Sequence, residues 1–368
     1  MDFQIDQPRL LSALGLAQTV ADKRSNQNNQ MLANVLLRAT KDNKLVCSAT
    51  DMMISVTETI PVEVKTPGAL TLGVRYLHSV VRTLPAKPLR VKALENHWAQ
   101  MSVGRSEFKL MGQAPTDFPE LPDPKGLKFL GIPGHTIADL IQKTQFSVST
   151  DEARVNLNGV LFESNGEIGT MVSTDGHRLT KLTLPLVGPK LERGIIIPRK
   201  GMLEIKRVLD RFEGEVGLAV DGQHLFIQAN ELLLSVKLNN VVFPPYEQVI
   251  PREFRRRATA LRDEMIDALK RAEVMAPEKT ATVRVQLDKG TLQLTADNPD
   301  LGVAHQEIEI DYVGDPLVAG FNARYLIEVL EAMDTKQVYL DFQGELDPCV
   351  LRPVDGPEYL GVVMPMRI

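Results

Sequence analysis

The 368-residue chain is poor in the residues that usually mark a reaction centre. It holds two cysteines, one tryptophan and six histidines. Cys47 and Cys349 lie far apart without metal-ligand spacing, which excludes a disulfide framework and fits a reducing cytoplasm. His78, His97, His135, His177, His224 and His305 form neither HxH nor HExxH, so no metal is expected. A GxxxxGK phosphate loop, a GxGxxG turn and a GxSxG elbow are all missing, so no cofactor is expected either. No apolar run reaches the roughly 18 residues that a spanning helix needs. The opening MDFQIDQPRL has neither a basic region nor an apolar core, so it does not read as a secretory leader. The net charge of -5 argues against wholesale coating of nucleic acid, but a local basic face on an acidic body remains compatible with it.

What the chain does have is a threefold repeat. A strand ending in an Asp-containing turn recurs as SATDMMISV (48–56), VSTDGHRLT (172–180) and LTADNPDLG (294–302). Asp51, Asp175 and Asp297 stand 124 and 122 residues apart. An apolar strand running into an amphipathic helix recurs as ALTLGVRYLHSVVRTL (69–84), IIIPRKGMLEIKRVLD (195–210) and PLVAGFNARYLIEVLEAM (316–333). A proline-bearing stretch recurs as DFPELP (117–122), VFPPYEQVIP (242–251) and VVMPMRI (362–368). One shared period of domain length points to three like domains, 1–126, 127–252 and 253–368, with breaks near DPKGLK and PREFRRR. Each repeat opens with a helix (8–21, 136–148 and 260–276), continues in short strands and holds a second helix, which is an α+β pattern.

Basic residues gather on these helices. Arg75, His78 and Arg82 share one side of a helix. Arg199, Lys200, Lys206, Arg207 and Arg211 mark the second repeat, and Arg252, Arg255, Arg256, Arg257, Arg262, Lys270 and Arg271 the third. Lys23 and Arg24 follow the first helix. A solvated helix face explains any one cluster; recurrence in three repeats points to a shared surface for phosphate. The stretch Thr174-Asp175-Gly176-His177-Arg178 has an acid–base look, but Asp-Gly is a turn signal and its counterparts lack the histidine. The apolar end, YLGVVMPMRI (359–368), reads either as a core strand or as a surface that another protein needs.

With the repeat, TDGHRL (174–179) and VVMPMRI in view, the sequence resembles the bacterial sliding clamps, the β subunits of DNA polymerase III. The resemblance runs the full length and is most specific at RVNLNGVLFE (154–163), TDGHRL, IIIPRKG (195–201), FPPYEQVIP (243–251) and VVMPMRI. It implies the DNA-clamp fold: three like α+β domains per chain, in a ring-shaped head-to-tail homodimer with antiparallel sheets outside and helices lining a central hole. Such a ring is a non-enzymatic processivity factor that encircles duplex DNA without reading sequence and tethers the replicative polymerase. The clamp loader, other polymerases and repair proteins are implied as further partners, through short apolar peptides often ending in Leu-Phe.

The resemblance also assigns residues. A partner-peptide pocket is implied at Leu157, Thr174, Gly176, His177, Arg178, Leu179, Pro244, Val249, Val362, Met364, Pro365 and Met366. Arg24, Arg75, Arg199 and Lys200 are implied to face DNA. Phe108 and Leu110 are implied to meet Val274 and Met275 of a second copy, and all four read equally well as core. The chain departs from the pattern at TDEARVN (150–156), where some relatives carry Gln and Tyr that touch DNA. It departs again at SNQNNQML (25–32) and at Gln248, where a basic residue often sits. A monomeric peptide-binding adaptor and a hydrolase or transferase using Asp175 and His177 stand as alternatives.

Overall fold

The computed structural model describes residues 1–22 and 30–368. Arg24 and most of the SNQNNQML stretch therefore lie outside the described residues. Six α-helices are present among the described residues: α1 (Gln7–Val20), α2 (Val74–Thr83), α3 (Gly134–Gln142), α4 (Arg199–Leu209), α5 (Arg262–Glu273) and α6 (Ala323–Glu331). Each arises in one of the six amphipathic stretches. In α2 the buried residues are Val74, Leu77 and Val81, a stripe at helical spacing. α1 starts with Pro8 in its first turn, where the missing N–H costs nothing. α5 puts Asp263 and Glu264 in its first turn and Lys270 and Arg271 in its last, matching the helix dipole. Asn322 caps α6 by accepting the Tyr325 N–H at 3.3 Å.

One helix is shorter than the sequence suggests. The stretch 136–148 breaks at Gln142, and Gln145–Ser147 forms a separate 3-10 turn. Thr144 is the reason. Its hydroxyl donates back to the Leu140 carbonyl at 2.6 Å, and its own carbonyl accepts the hydroxyls of Ser173 (2.5 Å) and Thr180 (3.3 Å). Side-chain bonds of this kind compete with helix continuation.

The chain divides into two compact units, one of residues 1–134 and 203–238, the other of residues 135–202 and 239–368. The first unit holds one 13-stranded sheet. Its order is Leu130–Pro133, Glu215–Val220, His224–Ala229, Leu232–Lys237, Ile54–Pro61, Lys44–Thr50, Asn34–Ala39, Gly68–Gly73, Ser106–Gln113, Trp98–Val103, Pro88–Ala93, Asp2–Asp6, Glu63–Thr66. The second unit holds two sheets. An eight-stranded one runs Ile195–Pro198, Gly159–Ser164, Ile168–Thr174, Arg178–Pro185, Glu358–Val363, Cys349–Pro353, Gln337–Phe342, Arg256–Leu261. A four-stranded one runs Gly302–Glu309, Thr291–Asn298, Thr282–Asp288, Leu317–Asn322. Among the described residues every strand pairing is antiparallel, for example Ile54–Pro61 with Leu232–Lys237.

The fold is α+β with three like domains. The central repeat gives four strands to the sheet of each unit, which is why compactness divides the chain in two while its sequence repeats three times. Strands with one face inward alternate buried and half-exposed side chains, and fully covered ones such as Asn34–Ala39 are buried almost throughout. Cys47 and Cys349 are both buried and unpaired with each other, and burial pushes both thiols up from their ordinary range.

At the start of the chain, Asp2 takes a two-pronged bond from Arg90, at 2.9 and 2.5 Å, which joins the Asp2–Asp6 and Pro88–Ala93 strands. The Arg90 guanidinium holds the Asp2 carboxyl below the usual carboxylate range. A depressed carboxylate stabilises the fold fully above its unfolded pKa of about 4, and that contribution fades as pH falls through the lower folded value. Asp2→Asn should therefore destabilise the chain at pH 7 and flatten the acid limb of its stability curve below about pH 4, measured by urea unfolding across pH.

Candidate functional site

The site grows from one strand pairing in the second unit. Arg178–Pro185 lies antiparallel to Glu358–Val363, with Leu179 opposite Val362 and Arg178 opposite Val363. Past the ladder, the Met364 N–H donates to the His177 carbonyl at 2.8 Å. Leu179 and Val362 are buried together with Leu161, Val172, Ile196, Phe243, Tyr246 and Val350. Beyond them the chain surfaces: Met364 is 39% exposed, and Pro365 and Met366 are half-buried. The apolar end is thus core up to Val363 and surface from Met364 onward, so the core-strand reading of YLGVVMPMRI holds for its first five residues and the last five lie at the surface.

The turn before Arg178 is built by its own side chains. Thr174 Oγ1 donates to the Arg178 carbonyl at 2.6 Å and accepts the Gly176 N–H at 3.1 Å. Asp175 Oδ1 accepts the His177 and Arg178 N–H groups at 2.9 and 3.1 Å. Gly176 has φ +90°, a conformation that side chains rarely adopt. Asp175 therefore caps a turn, and its bonds go to the His177 backbone rather than to the imidazole. The first repeat has the same device: Asp51 Oδ1 accepts the Met53 and Ile54 N–H groups at 2.9 and 2.7 Å, and the Lys237 N–H donates to the Met53 carbonyl at 2.8 Å. The third repeat does not. Asp297 sits in a strand opposite Val303, and Asn298 Oδ1 accepts the Asp300 N–H at 3.1 Å, so the turn has moved by one residue.

Arg178 sits deeper than its neighbours, only 8% exposed. Its Nε donates to Asp175 Oδ2 at 3.1 Å, its Nη1 to Glu328 of α6, and its Nη2 to the Phe146 carbonyl at 2.6 Å. The guanidinium also lies over the Tyr325 ring, 4.4 Å from the centroid. It fastens the turn, the 3-10 segment and α6 together. Arg154 bonds the Asp175 carbonyl at 3.2 Å and so ties the loop carrying half-buried Leu157 to the same turn. Pro244 and Val249 flank Phe243 and Tyr246, whose rings pack edge to face. The Tyr246 hydroxyl donates to Glu163 at 2.9 Å, while Val249 stays 49% exposed. Of the twelve residues, then, Arg178, Leu179 and Val362 are buried supports, and the other nine are surface or half-buried.

The remaining sequence-derived residues lie elsewhere. Arg75 on α2 and Arg199 and Lys200 at the start of α4 are exposed. Several cations on or beside the helices face a carboxylate: Lys206 faces Asp210, Arg207 faces Glu204, Arg211 faces Glu58 and Lys270 faces Glu331. The Ser106–Gln113 strand pairs along one side with Trp98–Val103, but on its other side only Gly112 and Gln113 are matched among the described residues. Phe108 and Leu110 are half-buried on that strand, and Met111 is 72% exposed. Gly302–Glu309 pairs only with Thr291–Asn298 among the described strands. Met275 is half-buried beside Gly302, and Val274 is 73% exposed. None of the four is a buried core residue. Among the described residues no cluster of His, Cys, Asp or Glu could hold a metal ion, and no helix is long and apolar enough to cross a membrane.

Family models of the N-terminal, central and C-terminal domains of the DNA polymerase III beta subunit match residues 1–122, 131–245 and 247–367 in turn. The chain belongs to this family. The beta sliding clamps of Pseudomonas aeruginosa and Escherichia coli are 32% and 30% identical to it over 370 and 369 residues, with 100% of each chain covered. The solved structure of the Pseudomonas aeruginosa subunit superposes with a TM-score of 0.94 at 31% identity, and that of Caulobacter crescentus with 0.94 at 31%, each covering 100% of both chains. A Pseudomonas aeruginosa sliding clamp solved with griselimycin bound superposes with 0.93 at 32% identity over 100% of both chains.

Within this clamp-family chain, sequence reasoning missed Phe146, Tyr325 and Glu328. Glu328 lies 150 positions from Arg178, and nothing in either segment signals the other. Tyr325 reads as one more aromatic on an amphipathic helix. Replacing Arg178 by Met should destabilise the chain by about 3 kcal/mol in urea unfolding, because Asp175 and Glu328 lose their cation, and Arg178→Lys should recover only part of it.

Proposed function

We propose that the chain works as a replication sliding clamp, a ring-shaped homodimer that encircles duplex DNA and tethers the polymerase without catalysing a reaction of its own. The observation that carries this reading is the pair of open sheet edges. An unpaired edge invites another strand. Residues 106–111 of one copy meet residues 302–309 of the next, with Phe108 and Leu110 against Val274 and Met275. The contact is heterologous, and two copies close it. Arg75, Arg199 and Lys200 face the DNA, with Arg24 as a fourth candidate. Enclosure makes a tight grip unnecessary, and phosphate contacts alone permit sliding along any sequence. The ring acts in the cytoplasm, and its domains follow the repeat at 1–126, 127–252 and 253–368.

The partner site is the surface around Met364, Pro365 and Met366, with Leu157, Thr174, Gly176, His177, Pro244 and Val249 around it and Arg178, Leu179 and Val362 beneath. It takes a short apolar peptide, often ending in Leu-Phe, from the polymerase, the clamp loader or repair proteins. Flexible methionines adapt to varied side chains, and a few apolar anchors carry most of such affinity.

Light scattering should give twice the chain mass. Loaded protein should stay on circular nicked DNA and be lost when that DNA is linearised; a monomer, or retention that ignores linearisation, would overturn the ring. Removing residues 364–368 leaves the Val362 and Val363 ladder in place. The dimer should survive that truncation, while titration with a labelled peptide ending in Leu-Phe should weaken by more than about a hundredfold. Unchanged titration would remove the tail from the site.

A further inference from the structure

The tail wall is held at both ends by glycines, and the second of these sits far away in sequence. Upstream, an ideal Cβ on Gly361 would lie 2.2 Å from Val329 Cγ1, so α6 rests directly on the last strand. Downstream, residues after Pro365 cross the outer edge of the Leu317–Asn322 strand. That strand pairs on one side with Thr282–Asp288. On the other, among the described residues, it makes a single bridge, Gly320 with Met366, in which the Met366 N–H donates to the Gly320 carbonyl at 2.8 Å. Gly320 is buried in the middle of a strand, where glycine is a poor choice for stability. Its backbone is not left-handed, so conformation does not demand it. Space does. An ideal Cβ there would lie 2.3 Å from Ile368 Cγ2 and 2.7 Å from the Met366 carbonyl oxygen. Glycine within a strand marks the close approach of another backbone, and here that backbone is the tail.

We infer that Gly320 is a positioning residue for the peptide site. It touches no peptide, but by having no side chain it lets the tail dock, and the tail then presents Met364 and Pro365 from two fixed points, the His177 carbonyl and the Gly320 carbonyl. The Met366 sulfur, 3.6 Å from the Thr282 hydroxyl, seats on the same sheet. The role rests on the peptide-site reading above, whereas the seating itself does not.

The experiment compares wild type, Gly320→Ala, a chain lacking residues 366–368, and the two changes combined. Amide hydrogen exchange reads the seating, and titration with a labelled hexapeptide ending in Leu-Phe reads the site. In wild type the Met366 amide should be protected; in Gly320→Ala that protection should be lost and peptide affinity should fall about tenfold, with the mass of the assembly unchanged. In the shortened chain Gly320→Ala should cause no further loss, because its effect passes through the tail. Protection of Met366 and wild-type affinity in Gly320→Ala would overturn the inference. If the full-length variant fails to fold, folding of the combined variant supports a clash with the tail, and its failure to fold overturns the inference by making Gly320 a core requirement. Wild type that binds no peptide removes the peptide site and with it the positioning role, while exchange at Met366 still reports where the tail lies.

Discussion

Every sheet in this molecule is governed by one constraint: a strand's backbone groups must find partners, and each repeat alone leaves strands that lack them. Inside each unit the answer is the same. Ile54–Pro61 takes Leu232–Lys237, and Arg178–Pro185 takes Glu358–Val363. Strands of one repeat thereby extend the sheet of another. The proposed partner site follows from this. It forms where the 174–178 turn enters such a junction and the chain leaves it after Val363, so a turn and a departing segment are brought side by side by pairing alone. The bond from Met364 to His177 and that from Lys237 to Met53 are two copies of one construction. Only the second unit's copy places a glycine and a histidine in the turn and a methionine-rich segment beside it.

Charge is subject to a second kind of pairing. A count of Lys and Arg on the helices suggests dense basic surfaces, yet Lys206, Arg207, Arg211 and Lys270 each face a carboxylate. Pairs of this kind cancel field. What remains to attract phosphate is narrower than the composition implies, which suits a ring that must slide rather than grip.

Much of this was legible in the sequence because it is periodic or local. The helices follow from apolar residues three and four apart, as with Val74, Leu77 and Val81. The turns follow from Thr-Asp pairs whose side chains bond their own backbone. The division of the tail into core and surface follows instead from where its strand ladder ends, at Val363. What could not be read depends on contacts between distant segments. Arg178 looks like a surface cation in a turn and is in fact a buried tie among Asp175, Glu328 and the Phe146 carbonyl. Asp297 matches its counterparts by spacing, but the structural turn falls on Asn298. Thr144 ends α3 early through bonds to Ser173 and Thr180, which no helical pattern could anticipate.

The sealing of both thiols has a practical side. Cys47 and Cys349 sit where solvent does not reach, and their proton loss is opposed by the surrounding apolar matter. Maleimide chemistry needs an accessible thiolate, so the native protein is silent to such reagents while folded. A single cysteine installed on the surface can be dyed alone, and the movement of this chain on DNA followed by light, without first stripping the sequence of its own sulfhydryls.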